Sequence, residues 1–213
     1  METQADSCVP IAIKLHQNSV LRQSSCTKTD PSGSRLKIAL YIEHGVGNGV
    51  GGAELMMAYL ASAWSAQHDV DLVHHRPPLT KERLSAFCAD DLSRVQIRAI
   101  PREPDSAAFL NPLRRYRAAQ DWHRAASNGY DLFVNCTHWL PTFSHAKASA
   151  LLVLFPFYVR PEDSPEMRTL PAWKRLRHTA YYGLEWRRRL ATYQHRFAIS
   201  KFTQEWTRRR WAA

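Results

Sequence analysis

A chain of 213 residues and 24.5 kDa, 45% hydrophobic and 23% charged, has the length of one medium domain and an ordinary globular composition, which excludes wholesale disorder. No run approaches the roughly 20 apolar residues that span a bilayer. Cys8, Cys26, Cys88 and Cys136 stand too far apart for a zinc ribbon or a disulfide framework, so a reducing, cytoplasmic setting is expected. The net charge of +10 is concentrated late, with thirteen Lys/Arg against five Asp/Glu in residues 160–213. Such a surface suits phosphate groups, nucleic acid or anionic lipid, without choosing among them.

In chain order, residues 1–36 carry QNS, QSSCTKTD and PSGS, which are loop formers, and read as a flexible extension. No basic stretch followed by an apolar one opens the chain, so a secretory signal is not expected. Lys37 to Glu43 is a short apolar run expected to form a buried strand. A glycine-rich turn follows. Glu54 to Gln67 then reads as a helix, with Met56, Leu60, Ala63 and Trp64 on its apolar face. Asp69 to His75 is a second strand, Leu79 to Phe87 a helix, Val95 to Ile100 a strand and Leu113 to Ser127 a helix. Tyr130 to Asn135 and Ala150 to Phe155 are strands, 171–193 is helical, His195 to Ile199 is a sixth strand, and Lys201 to Trp211 is a helix capped by Ser200. Strands alternating with helices predict an α/β fold, a doubly wound, Rossmann-like parallel sheet over 37–213 with helices on both faces. Ligands of such sheets bind beyond the carboxyl ends of the strands.

Five of the eight glycines fall in Gly45-Val-Gly47-Asn-Gly49-Val-Gly51-Gly52. Glycine in this turn allows positive φ and close approach to a ligand, and the following helix N-terminus favours a phosphate or carboxylate. Glu54 reads as a helix-start residue rather than a catalyst. Gly47, Gly49 and Gly52 fit G-x-G-x-x-G, but the second strand ends His74-His75-Arg76, where a dinucleotide site wants an acid. That counts against a dinucleotide oxidoreductase, and no P-loop pattern is present.

Taken together, the first strand, the loop ending Gly51-Gly52-Ala53-Glu54 and the amphipathic helix resemble the start of a GT-B glycosyltransferase, specifically the N-terminal domain of the family 4-like retaining enzymes. Tyr130 to His138 resembles the strand and turn that carry an active-site histidine in that family. Leu152 to Phe157 and Phe197-Ala-Ile-Ser-Lys-Phe-Thr-Gln-Glu-Trp206 resemble its later segments, so the likeness covers about 37–211. It implies an acceptor-side domain that faces a nucleotide-sugar donor and passes the sugar, with retention, to an acceptor hydroxyl. Gly49, Gly51 and Gly52 would lie by the donor phosphates, with Ser200 a further anion contact, and His138 would touch the sugar or acceptor. No metal or cofactor is implied; the nucleotide sugar is a substrate. The donor-binding C-terminal domain, with its glutamates eight positions apart, is not in these 213 residues. The chain is therefore expected to be an N-terminal domain or fragment that is inactive alone.

Each of these residues also has a plainer reading. His138 could be a structural histidine packed with Trp139. His44, His74, His75 and His138 could cluster at one sheet edge, though their spacing gives no metal site. Asp69-Val-Asp71 sits at the wrong end of its strand for diphosphate chemistry. Phe202 and Trp206, four apart on a helix, are expected in the core. In 168–190 the stripe Trp173, Leu176, Ala180 and Leu184 lies among Lys174, Arg175, Arg177 and Arg187-Arg188-Arg189. That segment reads as a solvated basic face or as a peripheral membrane-surface helix, and the resemblance, through lipid-linked acceptors, adds weight to the second. The rival to the enzyme is thus a non-enzymatic binding module acting through this region on a membrane or protein partner. A nucleic-acid partner is not expected, since no motif of that kind is present.

Overall fold

Short strands of four to six residues, most of them separated by helices, build one six-stranded parallel sheet in a computed structural model of the chain. The structure describes residues 34–42, 51–75, 80–88, 91–101, 112–137, 141–156 and 168–211. The expected N-terminal extension therefore lies, but for its last residues, outside the described part. The strands are β1 (Lys37–Ile42), β2 (Asp69–His74), β3 (Gln96–Ala99), β4 (Leu132–Thr137), β5 (Ala148–Val153) and β6 (His195–Ala198). The helices are α1 (Gly52–Ser65), α2 (Lys81–Phe87), α3 (Pro112–Ser127), α4 (Ala172–Leu190) and α5 (Lys201–Trp211). The sheet order is β3-β2-β1-β4-β5-β6, so the domain is a Rossmann-like α/β fold. Most element boundaries fall within one or two residues of the sequence reading.

The central strand β1 reads as an apolar run because both of its faces are covered. In β1, Ile38, Leu40 and Ile42 join Met57, Ala58 and Ala61 of α1 on one side, while Ala39 and Tyr41 join Trp122 and Ala126 of α3 on the other. The edge strands β3 and β6 are largely exposed. On α1 the structure corrects the expected face. Met57, Ala58 and Ala61 are buried, Met56, Leu60 and Trp64 flank them half-buried, and Ala63 is exposed. The run Leu-Met-Met-Ala-Tyr-Leu-Ala is apolar nearly all round, so periodicity does not single out a face, and the small alanines win the close contact with the sheet.

Helix ends follow their sequence signals. The Thr80 hydroxyl caps α2 by accepting the Arg83 N–H at 3.3 Å. Pro112 opens α3, where its missing N–H costs nothing, and Gly129, with φ +83°, ends it in the left-handed region.

The β4–β5 connection departs from the usual helical crossover. Its described part, 141–147, is non-helical, and side chains satisfy its backbone. Arg189 Nη1 donates to the Pro141 carbonyl (3.1 Å), and Tyr193 OH to the Thr142 carbonyl (2.7 Å). Thr192 Oγ1 accepts the Ser144 N–H (3.1 Å), and Ser127 Oγ accepts the His145 N–H (2.9 Å). Asn135 Nδ2, on β4, donates to Tyr193 OH at 2.9 Å and to Thr142 Oγ1 at 3.2 Å.

Candidate functional site

β1 and β4 are neighbours, yet their chain connections run to opposite faces of the sheet, which opens a crevice beyond their carboxyl ends. Ile42 and Cys136 are register partners at this point. The N-terminus of α1 belongs to the same edge, because α1 follows β1. The first backbone N–H groups of any helix lack an intrahelical partner and carry the positive end of its dipole.

Gly51 is the N-cap residue of α1, with φ −97° and ψ −179°. That is extended backbone open to any residue, so the expected need for positive φ does not hold here; among the described glycines only Gly129 has it. What glycine provides at 51 is room, since a Cβ would stand 2.9 Å from Glu54 Oε2. At Gly52 a Cβ would meet no described atom within 4 Å. Neither backbone nor packing among the described residues demands glycine there, and its absent side chain leaves the helix start open to an approaching ligand.

Glu54 fulfils its helix-start role, its Oε2 accepting the Gly51 N–H at 3.0 Å. The structure adds that Glu54 is 2% exposed and that its Oε1 has no hydrogen-bond partner among the described residues. Nothing in the sequence distinguishes a buried glutamate from a solvated one at this helix position. Burial, helped by the Glu54 charge, pushes the Cys136 thiol up to about 12. Cys136 is therefore a neutral thiol near neutral pH, which excludes it as a thiolate nucleophile. The crevice thus offers helix N–H groups for an anion, while the second carboxylate oxygen of Glu54 is buried within the same helix start.

The other candidates fall in different places. Gly49, His138 and His44 lie outside the described residues. Strand alternation puts His74 on the α1 face with Leu72 and His75 on the opposite face. There His75 Nδ1 meets Tyr41 OH at 2.9 Å and its ring stands edge-on to Trp122. The two histidines therefore do not converge, and no three potential ligands gather among the described residues. Ser200 caps α5, its Oγ accepting the Thr203 N–H at 3.0 Å. It follows β6, three strands from β1, or about 14 Å at the usual strand spacing. Ser200 is thus not brought together with Gly51 and Gly52. Asp69 and Asp71 are engaged toward the opposite end of the sheet, Asp69 with Arg35 at 2.9 Å and Asp71 as acceptor from Tyr130 OH at 2.6 Å. Phe202 corrects the core expectation: it is 60% exposed and stacks on Phe155, with Trp206 half-buried beside it.

The fold is that of a Rossmann-like α/β domain with its topological switch point between β1 and β4. No known family profile and no curated protein matches the sequence. Among solved structures, the crystal structure of the C-terminal domain of a hydrogenase from Pyrococcus furiosus is similar at 19% identity and a TM-score of 0.25, covering 49% of this chain and 77% of the hydrogenase domain. A likeness of that size bears on neither function nor site.

Proposed function

We propose that the domain is the acceptor-side lobe of a retaining GT-B glycosyltransferase, which passes a sugar from a nucleotide sugar to an acceptor hydroxyl. The observation that carries this reading is the open start of α1 at the switch point, with Gly52 bare. The resemblance of 37–211 to the family 4-like enzymes points the same way. In this reading the N–H groups at Gly52 and Ala53, with the helix dipole behind them, stabilise charge developing on the leaving diphosphate. Glu54 fixes the entry of the helix. His138, at the exit of β4, contacts the sugar or acceptor. A donor-binding lobe closing over the crevice supplies the nucleotide sugar and excludes water.

The test joins the chain to the donor lobe of a retaining GT-B enzyme and supplies labelled nucleotide sugars with free and lipid-linked sugar acceptors. Label transfer is expected from the fusion and not from the 213 residues alone. In the fusion, Gly52→Leu keeps stability within about 1 kcal/mol, because the helix start accepts a side chain, and lowers transfer at least about tenfold by filling the phosphate approach. Sustained turnover by the chain alone, or full transfer by the Gly52→Leu fusion, would sink the proposal.

A further inference from the structure

The helix α4 is docked on the sheet at its C-terminal end, and 172–176, 179, 180 and 184 along its earlier turns are exposed. Trp186, Arg189 and Leu190 are buried, with Trp186 edge-on to Trp211 of α5 at 4.4 Å. At 100° per residue, Trp173, Leu176, Ala180 and Leu184 fall within about 80° of one another, on a side of the helix turned away from Trp186 and Arg189. All four are exposed, with Trp173 and Leu184 at 59% and Leu176 at 72%. This is the apolar stripe expected from the sequence, but it faces away from the core.

The stripe has a basic rim. α4 carries six Lys/Arg and one acid, Glu185, and that acid is spent on Arg189 at 3.1 Å on the buried side. Lys174, Arg175, Arg187 and Arg188 are exposed and form no ion pair among the described residues. Lys174 Nζ lies 5.4 Å from the centre of the Trp173 ring, so the indole has a cation at its face. Because α4 returns from the carboxyl end of β5 to the start of β6, its exposed first half lies toward the end of the sheet that carries the crevice.

We infer that this face of α4 is a docking surface for an anionic lipid bilayer, with Trp173, Leu176 and Leu184 entering the headgroup–acyl boundary and the lysine and arginines meeting lipid phosphates. The 19-residue helix is amphipathic and basic, with a tryptophan and aliphatic residues on one side. That is the composition of a helix lying in the interface plane. Nucleic acid fits the face less well, because the centre of the stripe is aliphatic and bases need aromatic platforms. A second copy of the same face would set like charges against one another. No helix among the described residues is long and apolar enough to cross a membrane, so the contact is with the surface. The inference stands whether or not the domain is half of a glycosyltransferase.

The test is co-sedimentation of the full chain with phosphatidylcholine vesicles, with and without phosphatidylglycerol. Binding is expected only to the anionic vesicles, with release at about 0.5 M salt, where screening shortens the reach of the charges to a few ångströms. Leu176→Glu with Leu184→Glu, both on exposed positions, is expected to keep the far-UV circular dichroism and the melting curve and to lower the partition coefficient at least about tenfold. Leu176→Ser with Leu184→Ser, which adds no charge, is expected to weaken binding in the same direction. Three results would overturn the inference: no binding to anionic vesicles at low salt, binding that both double variants leave unchanged, or duplex DNA displacing the vesicles while its own binding ignores both leucine pairs.

Discussion

The two faces of the sheet are built differently. Toward α1 and α2 the core is mostly aliphatic: Ile38, Leu40, Ile42, Val70, Leu72 and Val134 meet Met57, Ala58 and Ala61. Toward α3 and α4 it is aromatic and polar. Tyr41, Phe133, Trp122 and Trp186 share that side with buried His123, Asn135, Thr142 and Arg189. The contrast follows from the connections. Helices satisfy their own backbone, so the α1 face can be filled with hydrocarbon. The stretch 141–147 crosses between β4 and β5 without a helix, and its carbonyl and N–H groups must be met by side chains. Arg189, Tyr193, Thr192 and Ser127 are the side chains that answer this short cut.

If this account holds, the two faces fail in different ways. The largest effect is expected in acid. Burial first, then the neighbouring Arg189 and His145, lower the pKa of His123 to about 3. The unfolded chain, with an ordinary histidine, binds the proton more readily, so stability is full above about pH 6.5 and is lost as pH falls toward 3, by on the order of 4 kcal/mol. Urea unfolding across that range should show the slope, and His123→Leu should remove most of it; an unchanged slope in the variant would place its origin elsewhere.

The next effect belongs to the aliphatic face. Leu72→Ala, at a fully buried position, should cost about 2–5 kcal/mol in urea unfolding. Leu72→Met, which keeps the volume, should cost less than about 1.5 kcal/mol. Equal losses would mean that volume is not what this face conserves. Smaller again is Tyr193→Phe on the polar face. It preserves shape but leaves the Thr142 carbonyl without the tyrosine hydroxyl and takes an acceptor from Asn135, for about 1–3 kcal/mol. A neutral result would show that the crossover does not depend on this bond.

The sequence discloses these regions unequally. β1 is plain as a short apolar run, and the parallel sheet follows from the alternation of strands with helices. Gly51 and Gly52 are visible as candidates from the turn alone. The partners of Asn135 are not visible, because Tyr193 lies 58 residues away and only the fold brings it in. The burial of Glu54 is hidden for a related reason, since Cys136 of β4, which feels its charge, is distant in the chain. For Phe202 and for the α4 stripe, helical spacing correctly groups residues on a face but is silent on whether that face meets the sheet or water.

The sheet order also sets a timetable for synthesis. β1 is made first and ends in the interior, between β2 and β4. Once Ala99 has left the ribosome, β3, β2 and β1 can pair, and one side of β1 then offers an open row of backbone donors and acceptors until Thr137 completes β4. At about 5–20 residues per second that interval lasts roughly 2–8 s. An unpaired, fully apolar edge is a template for the wrong strand, including one from a neighbouring nascent chain. The nascent protein is therefore expected to need chaperone cover most in the stretch of translation between β3 and β4.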